Sequence, residues 1–299
     1  MTESPPPAEQ PTAEQPADAV GAMLARWRKA RKMTGQALGD RVGMSQAKIS
    51  RLETGAVTAE PADVRLIGEK LGIPATEVIQ AVALAERGQE RLTDWTTARP
   101  RLVERQQEVG RVEMQAREIR VFQPAVVPGL TQTSEYARAV LFALKDLYDP
   151  HNSDSPLAVS EAVNARMKRS EILFLPDHKF YFLITEQVLR NRVCEPAAMV
   201  AQIARVRELA NCQNVDFRIL PDTAELPVAP YHGFSIIDDR QISVDLLNTM
   251  VWSNGRKTIQ DYRRVFDALL SVASTDINDL LNAYQARYAR MLLPESMAG

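Results

Sequence analysis

With 299 residues, 45% of them hydrophobic and 25% charged, the chain has the composition of an ordinary globular protein and the length for about two domains. No apolar run reaches the ~18 residues of a membrane span, and the acidic, proline-rich opening MTESPPPAEQPTAEQPAD is the reverse of a signal peptide. Two cysteines, Cys194 and Cys212, make no disulfide framework and fit a reducing compartment, so a cytoplasmic protein is expected. The net charge of -2 hides an uneven distribution. Residues 1–19 carry four acids and no base, whereas Arg26–Arg51 carries eight bases and one acid, Asp40. Positive charge confined to one small segment is the footprint of a module that binds a polyanion.

In chain order, residues 1–19 repeat AEQP, lack aromatic side chains and are expected to form a disordered tail. Residues 20–88 read as an all-α domain of five short helices. Val20 to Lys32 carries Leu24, Trp27, Arg28 and Arg31 on one stripe. Thr34 caps a second helix that runs to Val42, and Gly43 fits the left-handed residue that ends it. Ser45 caps a third helix, closed by Gly55; Ala62–Leu71 and Thr76–Arg87 are the fourth and fifth. Helix, glycine turn, helix is the layout of a helix-turn-helix.

Residues 89–120 are expected to be a linker region with a helix after Pro100, its stripe made by Leu102, Val109, Val112, Ala116 and Ile119. From 121 to 299 the texture alternates. KFYFLI (179–184), VDFRIL (215–220), FSII (234–237) and SVDLL (243–247) read as strands. Helices are expected at 133–145, 157–173, 197–210, 258–273 and 275–290, with Pro128-Gly129 a turn and Thr133 a cap. The expected architecture is multidomain: an all-α five-helix helix-turn-helix domain followed by a mixed α+β domain with its own core.

The stretch SQAKISRLETG (45–55) carries the functional signal. At 100° per residue, Ile49 and Leu52 point to one side, while Gln46, Ala47, Ser50, Arg51 and Thr54 point to the other. That outer face is small and polar, with one arginine and no acid. It suits a helix entering the major groove, where carboxylates are repelled and base edges offer donors, acceptors and thymine methyls. Gln46 can pair with adenine, Arg51 with guanine or a phosphate, and Ala47 can pack on a thymine methyl. Glu53 falls beside Leu52 on the inner side, so a structural ion pair with Arg28 and Arg31 is expected, not a base contact.

Thr34–Gly55, TGQALGDRVGMSQAKISRLETG, resembles the core of Cro/phage-repressor (Xre-like) helix-turn-helix domains in its capped second helix, G-x-S turn and I-S-R-L-E run. The resemblance implies base-facing positions at Gln46, Ala47, Ser50 and Arg51, with Lys48 at the rim. Gly35 stands where the family usually has glutamine, and Gln36 is the neighbour that would take over that contact. Gly39 stands where alanine is common. With Ser45 and Thr54 at the ends of the helix, the DNA-binding set is Gln36, Ser45, Gln46, Ala47, Lys48, Ser50, Arg51 and Thr54. RVFQPAVVPGLTQTSEYARAVL (120–141), ARMKRSEIL (165–173) and VDFRILP (215–221) are similar to the C-terminal domain of actinobacterial Xre-type regulators of the WhiJ group (Scr-type, antitoxin-like). That resemblance implies a small BldB-like partner protein and supplies no catalytic residue. The helix at 45–55 makes double-stranded DNA the expected partner, the small size of one such module calls for a second copy of the chain, and a small-molecule effector is the alternative to the partner protein.

Residue chemistry points away from catalysis. His151, His178 and His232 lie at no metal-ligand spacing with one another or with cysteine, and no Walker, G-x-S-x-G or G-x-G-x-x-G motif is present. HGF (232–234) reads as a turn before a strand. Asp238-Asp239 and Asp276/Asp279 read as loop tips and helix caps. No enzyme, cofactor or metal site is expected. Phe122, Tyr136, Phe174 and Phe182 suit either a core or the lining of a ligand cavity. Two functions of different class fit: a transcription factor, expected to be a repressor, controlled through its second domain, or an antitoxin-like protein that masks a small partner and binds DNA for autoregulation.

Overall fold

The computed structural model describes residues 16–88, 90–94, 102–148, 156–246 and 249–293. The chain forms two compact units, Met1–Arg91 and Leu92–Gly299. Most of the expected tail, residues 1–15, lies outside the described residues. Its last four residues are helical instead: α1 spans Pro16–Ala30. Proline suits a first helical turn because its missing N–H would be unsatisfied there anyway.

The helical unit continues with α2 (Gly35–Val42), α3 (Gln46–Glu53), α4 (Pro61–Lys70) and α5 (Ala75–Gly88). Thr34 Oγ1 accepts a hydrogen bond from Ala37 N at 3.1 Å, and Ser45 Oγ accepts from Lys48 N at 3.2 Å. Each cap satisfies one N–H that the helix start leaves orphaned. Gly43 has φ +73° and its N–H reaches Gly39 O, which ends α2. Val20, Leu24, Trp27, Leu38, Ile49, Leu52, Val64 and Ile67 make the core. The turn between α2 and α3 is tight enough to exclude a side chain at position 39. A Cβ on Gly39 would lie 2.4 Å from Met44 O, a backbone atom with nowhere to move. Gly39→Ala, which raises intrinsic helix propensity, should therefore still destabilise the unit by ~1–3 kcal/mol through overpacking. Circular-dichroism melting checks this; an unchanged or raised midpoint defeats it.

The second unit holds a seven-stranded mixed sheet. Its strands are β1 (Glu90–Asp94, which begins just before the unit boundary), β2 (Glu118–Gln123), β3 (Lys179–Thr185), β4 (Val215–Leu220), β5 (Phe234–Ile237), β6 (Gln241–Asp245) and β7 (Thr249–Ser253). The order is β1-β7-β6-β5-β2-β3-β4. β2, β3 and β4 run parallel, and β5, β6 and β7 continue from β2 as antiparallel neighbours. The helices are α6 (Leu102–Gln115), α7 (Ser134–Tyr148), α8 (Pro156–Ser170), α9 (Glu186–Arg190), α10 (Pro196–Ala210), α11 (Arg256–Ser271) and α12 (Asn278–Arg290).

Alternate residues of each strand feed different cores, as a period of two requires. Ile119, Val121, Phe180, Phe182, Phe217 and Ile219 pack with Met199, Ile203, Leu281 and Tyr288 of α10 and α12. Phe122, Leu183, Leu220, Phe234 and Ile242 pack with Ile259, Phe266 and Leu269 of α11. A polar network is buried beside the first core. Arg169 forks onto Glu113 at 2.8 and 2.9 Å, while Arg166 and Arg169 both donate to Gln106 Oε1. Arg166 also reaches Gln132 Oε1 at 2.6 Å, and burial pulls its guanidinium down to about 10.

Several expectations shift here. Ile119 belongs to β2, not to the preceding helix: α6 stops at Gln115, and EIRVFQ is a central strand buried on both faces. β6 begins at Gln241 rather than at 243, because Ile237 pairs with Gln241 across the hairpin. Asp238 and Asp239 form that hairpin's turn at φ +52° and +50°, a region that Asp tolerates better than most residues. Phe122 lies in one core and Tyr136 and Phe182 in the other, while Phe174 is 61% exposed. The four rings therefore do not line one cavity.

Candidate nucleic-acid interface

Recognition by a short helix needs one face anchored and the other free. Ile49 and Leu52 are 1% and 2% exposed and root α3 in the core. Ser45, Gln46, Ala47, Ser50, Arg51 and Thr54 are all exposed. The N-terminal turn of α3 has no acid of its own to offset its positive dipole end. Within the face, Arg51 Nε donates to Ala47 O at 3.2 Å, which braces the guanidinium along the helix. The Thr54 hydroxyl donates to Ser50 O at 2.9 Å, so its donor is already used. The start of α2 lies against Gln46: a Cβ on Gly35 would stand 3.6 Å from Gln46 Cγ. Gln36 is exposed and its amide donates to Asp40 Oδ1 at 2.7 Å.

Two partners were not legible in the sequence. Lys48, on the flank, is half-buried and pairs with Asp63 Oδ2 of α4 at 2.7 Å. Its ammonium therefore already has a carboxylate partner within the helical unit. Arg31, expected near Glu53, instead donates to Leu71 O and Gly72 O, the carbonyls that close α4. Carbonyls at a helix end lack intrahelical donors and carry the negative pole of the dipole, so they suit a cation. Among the described residues only Arg28 pairs with Glu53; it forks onto both carboxylate oxygens at 2.6 Å each and reaches Met33 O with Nη1. The hydrogen bond to Glu53 raises the Arg28 pKa above its usual value.

In the second unit Asp238, Asp239 and His232, singled out in the sequence, sit in structural places. Asp238 Oδ1 accepts from Arg117 N and Glu118 N, pinning the hairpin to β2. Asp239 pairs with Arg263, and His232 shares a hydrogen bond with Tyr262. Burial pushes the Cys194 thiol up to about 11, away from the reactive thiolate. No helix among the described residues is long and apolar enough to cross a membrane.

Two capped helices joined by a glycine turn, with a rooted second helix showing a polar outer face, define a helix-turn-helix protein of the DNA-binding class. Residues 19–79 match the family described as a helix-turn-helix domain. Residues 106–278 match the family described as a domain of unknown function, DUF5753. That second match takes in more than half of the chain, which belongs to the DUF5753 family. No curated protein matches it. A solved structure of TrmBL2, an archaeal chromatin protein described as showing a novel mode of DNA binding, is similar at a TM-score of 0.30 and 11% identity, over 67% of this chain and 60% of that one. The chain thus spans less than two thirds of that structure, and so shallow a likeness has no bearing on function.

Proposed function

We propose that the protein is a sequence-specific DNA-binding regulator of the Xre-like kind, a repressor that binds a palindromic operator as a dimer and acts by binding, not by catalysis. The observation that carries this reading is the outer face of α3, where Gln46, Ala47, Ser50 and Arg51 stand exposed with no carboxylate among them. Dimerisation follows from size. One such module buries only ~600–1,000 Å² on DNA, so useful specificity calls for two half-sites. The α/β unit, with the helix now assigned to 102–115, is the dimer surface in this reading and the receiver of a signal from a small effector or a small partner protein. The resemblance of residues 120–141, 165–173 and 215–221 to WhiJ-group regulators supports that role, and the nucleoid is where it works.

Selection of bound duplexes from a random pool by the full chain tests this reading, with light scattering of the protein at micromolar concentration. The expected result is an enriched inverted repeat and a mass of two chains on it. Absence of an enriched sequence defeats the regulator reading, and a single chain per site defeats the dimer.

A further inference from the structure

A groove of about 640 Å³ opens between α9 and α12 of the second unit. Leu280, Tyr284 and Met291 line its apolar side, and Glu186, Arg190, Arg287 and Arg290 its polar side. The volume lies within the range of small-molecule sites, ~300–1,000 Å³. Its place in the fold also suits a ligand. Glu186 follows directly on β3 and Asp222 lies just beyond β4, so the groove sits at the carboxyl end of the parallel strands, where open α/β sheets bind ligands.

The charges are unbalanced. Glu186 is fully used: Oε1 accepts from the Tyr284 hydroxyl at 2.7 Å and Oε2 from Asp222 N at 2.9 Å. Arg190 pairs with Asp222. Arg287 lies 6.0 Å from the ring centres of Tyr284 and Tyr288, and Arg290 Nε donates weakly to Ala286 O at 3.4 Å. Neither of these two arginines pairs with a carboxylate among the described residues. A place in the last turn of α12 suits their charge, because cations favour that end of a helix. It does not account for the apolar wall beside them, where Met291 remains 45% exposed.

We propose that this groove binds a small organic acid with an apolar body: the carboxylate is held in the guanidinium forks of Arg287 and Arg290, and the body covers Leu280, Tyr284 and Met291. Paired guanidinium–carboxylate hydrogen bonds are the strong, directional kind. Neither an inorganic anion nor a neutral alcohol satisfies both walls. That this acid is the effector of the α/β unit rests on the regulator reading given above.

The test is calorimetric titration of the full chain with octanoate and with 1-naphthoate, against inorganic phosphate and 1-octanol as charge-only and apolar-only probes. The expected result is saturable binding of at least one acid, with both controls at least tenfold weaker. Arg287→Ala and Arg290→Ala should each weaken the acid by about tenfold, as loss of a charged hydrogen bond does, while melting at the parent temperature. No saturable binding of either acid, phosphate binding as well as they do, or unchanged affinity in both variants overturns the site. A parallel titration of operator DNA separates the two readings. Acid binding without any change in DNA affinity removes the effector role and leaves the groove, whereas absence of DNA binding counts against the regulator reading alone.

Discussion

Alanine at Gln46 or Arg51 should weaken binding to the preferred duplex by ~1–3 kcal/mol each and relax selectivity at one base position per substitution. Both side chains are exposed on the face of α3 opposite Ile49 and Leu52, so neither truncation should disturb the core. Made together, the two losses should bring specific binding close to the affinity for scrambled DNA. Lys48→Ala should behave differently. Losing a phosphate contact weakens binding to all sequences alike and lowers the salt slope by about one unit, but to make that contact Lys48 must first leave Asp63, 2.7 Å away. Its loss should therefore be smaller than that of a free lysine, and Asp63→Ala should strengthen binding to every duplex. Fluorescence anisotropy with specific and scrambled duplexes at several salt concentrations measures all five variants. If Gln46→Ala and Arg51→Ala bind as tightly and selectively as the parent, α3 is not the reading helix.

Glu53→Ala is expected to unfold the helical unit at lower temperature without changing which sequence is preferred. Glu53 and Arg28 are only 12% and 16% exposed at their side chains, and the pair is bidentate. Removing one partner of a buried pair strands the other charge, at ~3–5 kcal/mol when burial is complete. Here some water reaches Arg28 and Met33 O still accepts from it, so ~2 kcal/mol is expected. In a unit of this size that lowers the midpoint by roughly 10 °C. Glu53→Gln keeps an acceptor for one Arg28 N–H and should fall between. Thermal melting beside duplex selection distinguishes the roles: an unchanged midpoint with an altered base preference would make Glu53 a base reader.

What the sequence by itself determined is what neighbours in the chain decide. Thr34 and Ser45 cap helices because a hydroxyl three residues before an N–H can reach it in any fold. Gly43 ends α2 because it takes φ +73° without strain. The spacing of Ile49 and Leu52 divides α3 into a rooted face and an outer face before any partner is known. The strands at 179–185, 215–220 and 234–237 were legible because aromatic and β-branched runs between turn residues have one common use. Tertiary structure decided the rest. Ile119 continues a helical stripe in the sequence, yet lies in β2 because β3 and β5 flank it on either side. Phe122 and Phe182 read alike but enter opposite cores through the alternation and register of neighbouring strands. The choice of Arg28 over Arg31 by Glu53, the pairing of Lys48 with Asp63 and the meeting of α9 with α12 at the arginine-lined groove join residues far apart in the chain. Local propensity and periodicity carry no record of such pairings, because they are settled only when separate elements compete for the same charge, carbonyl or apolar surface.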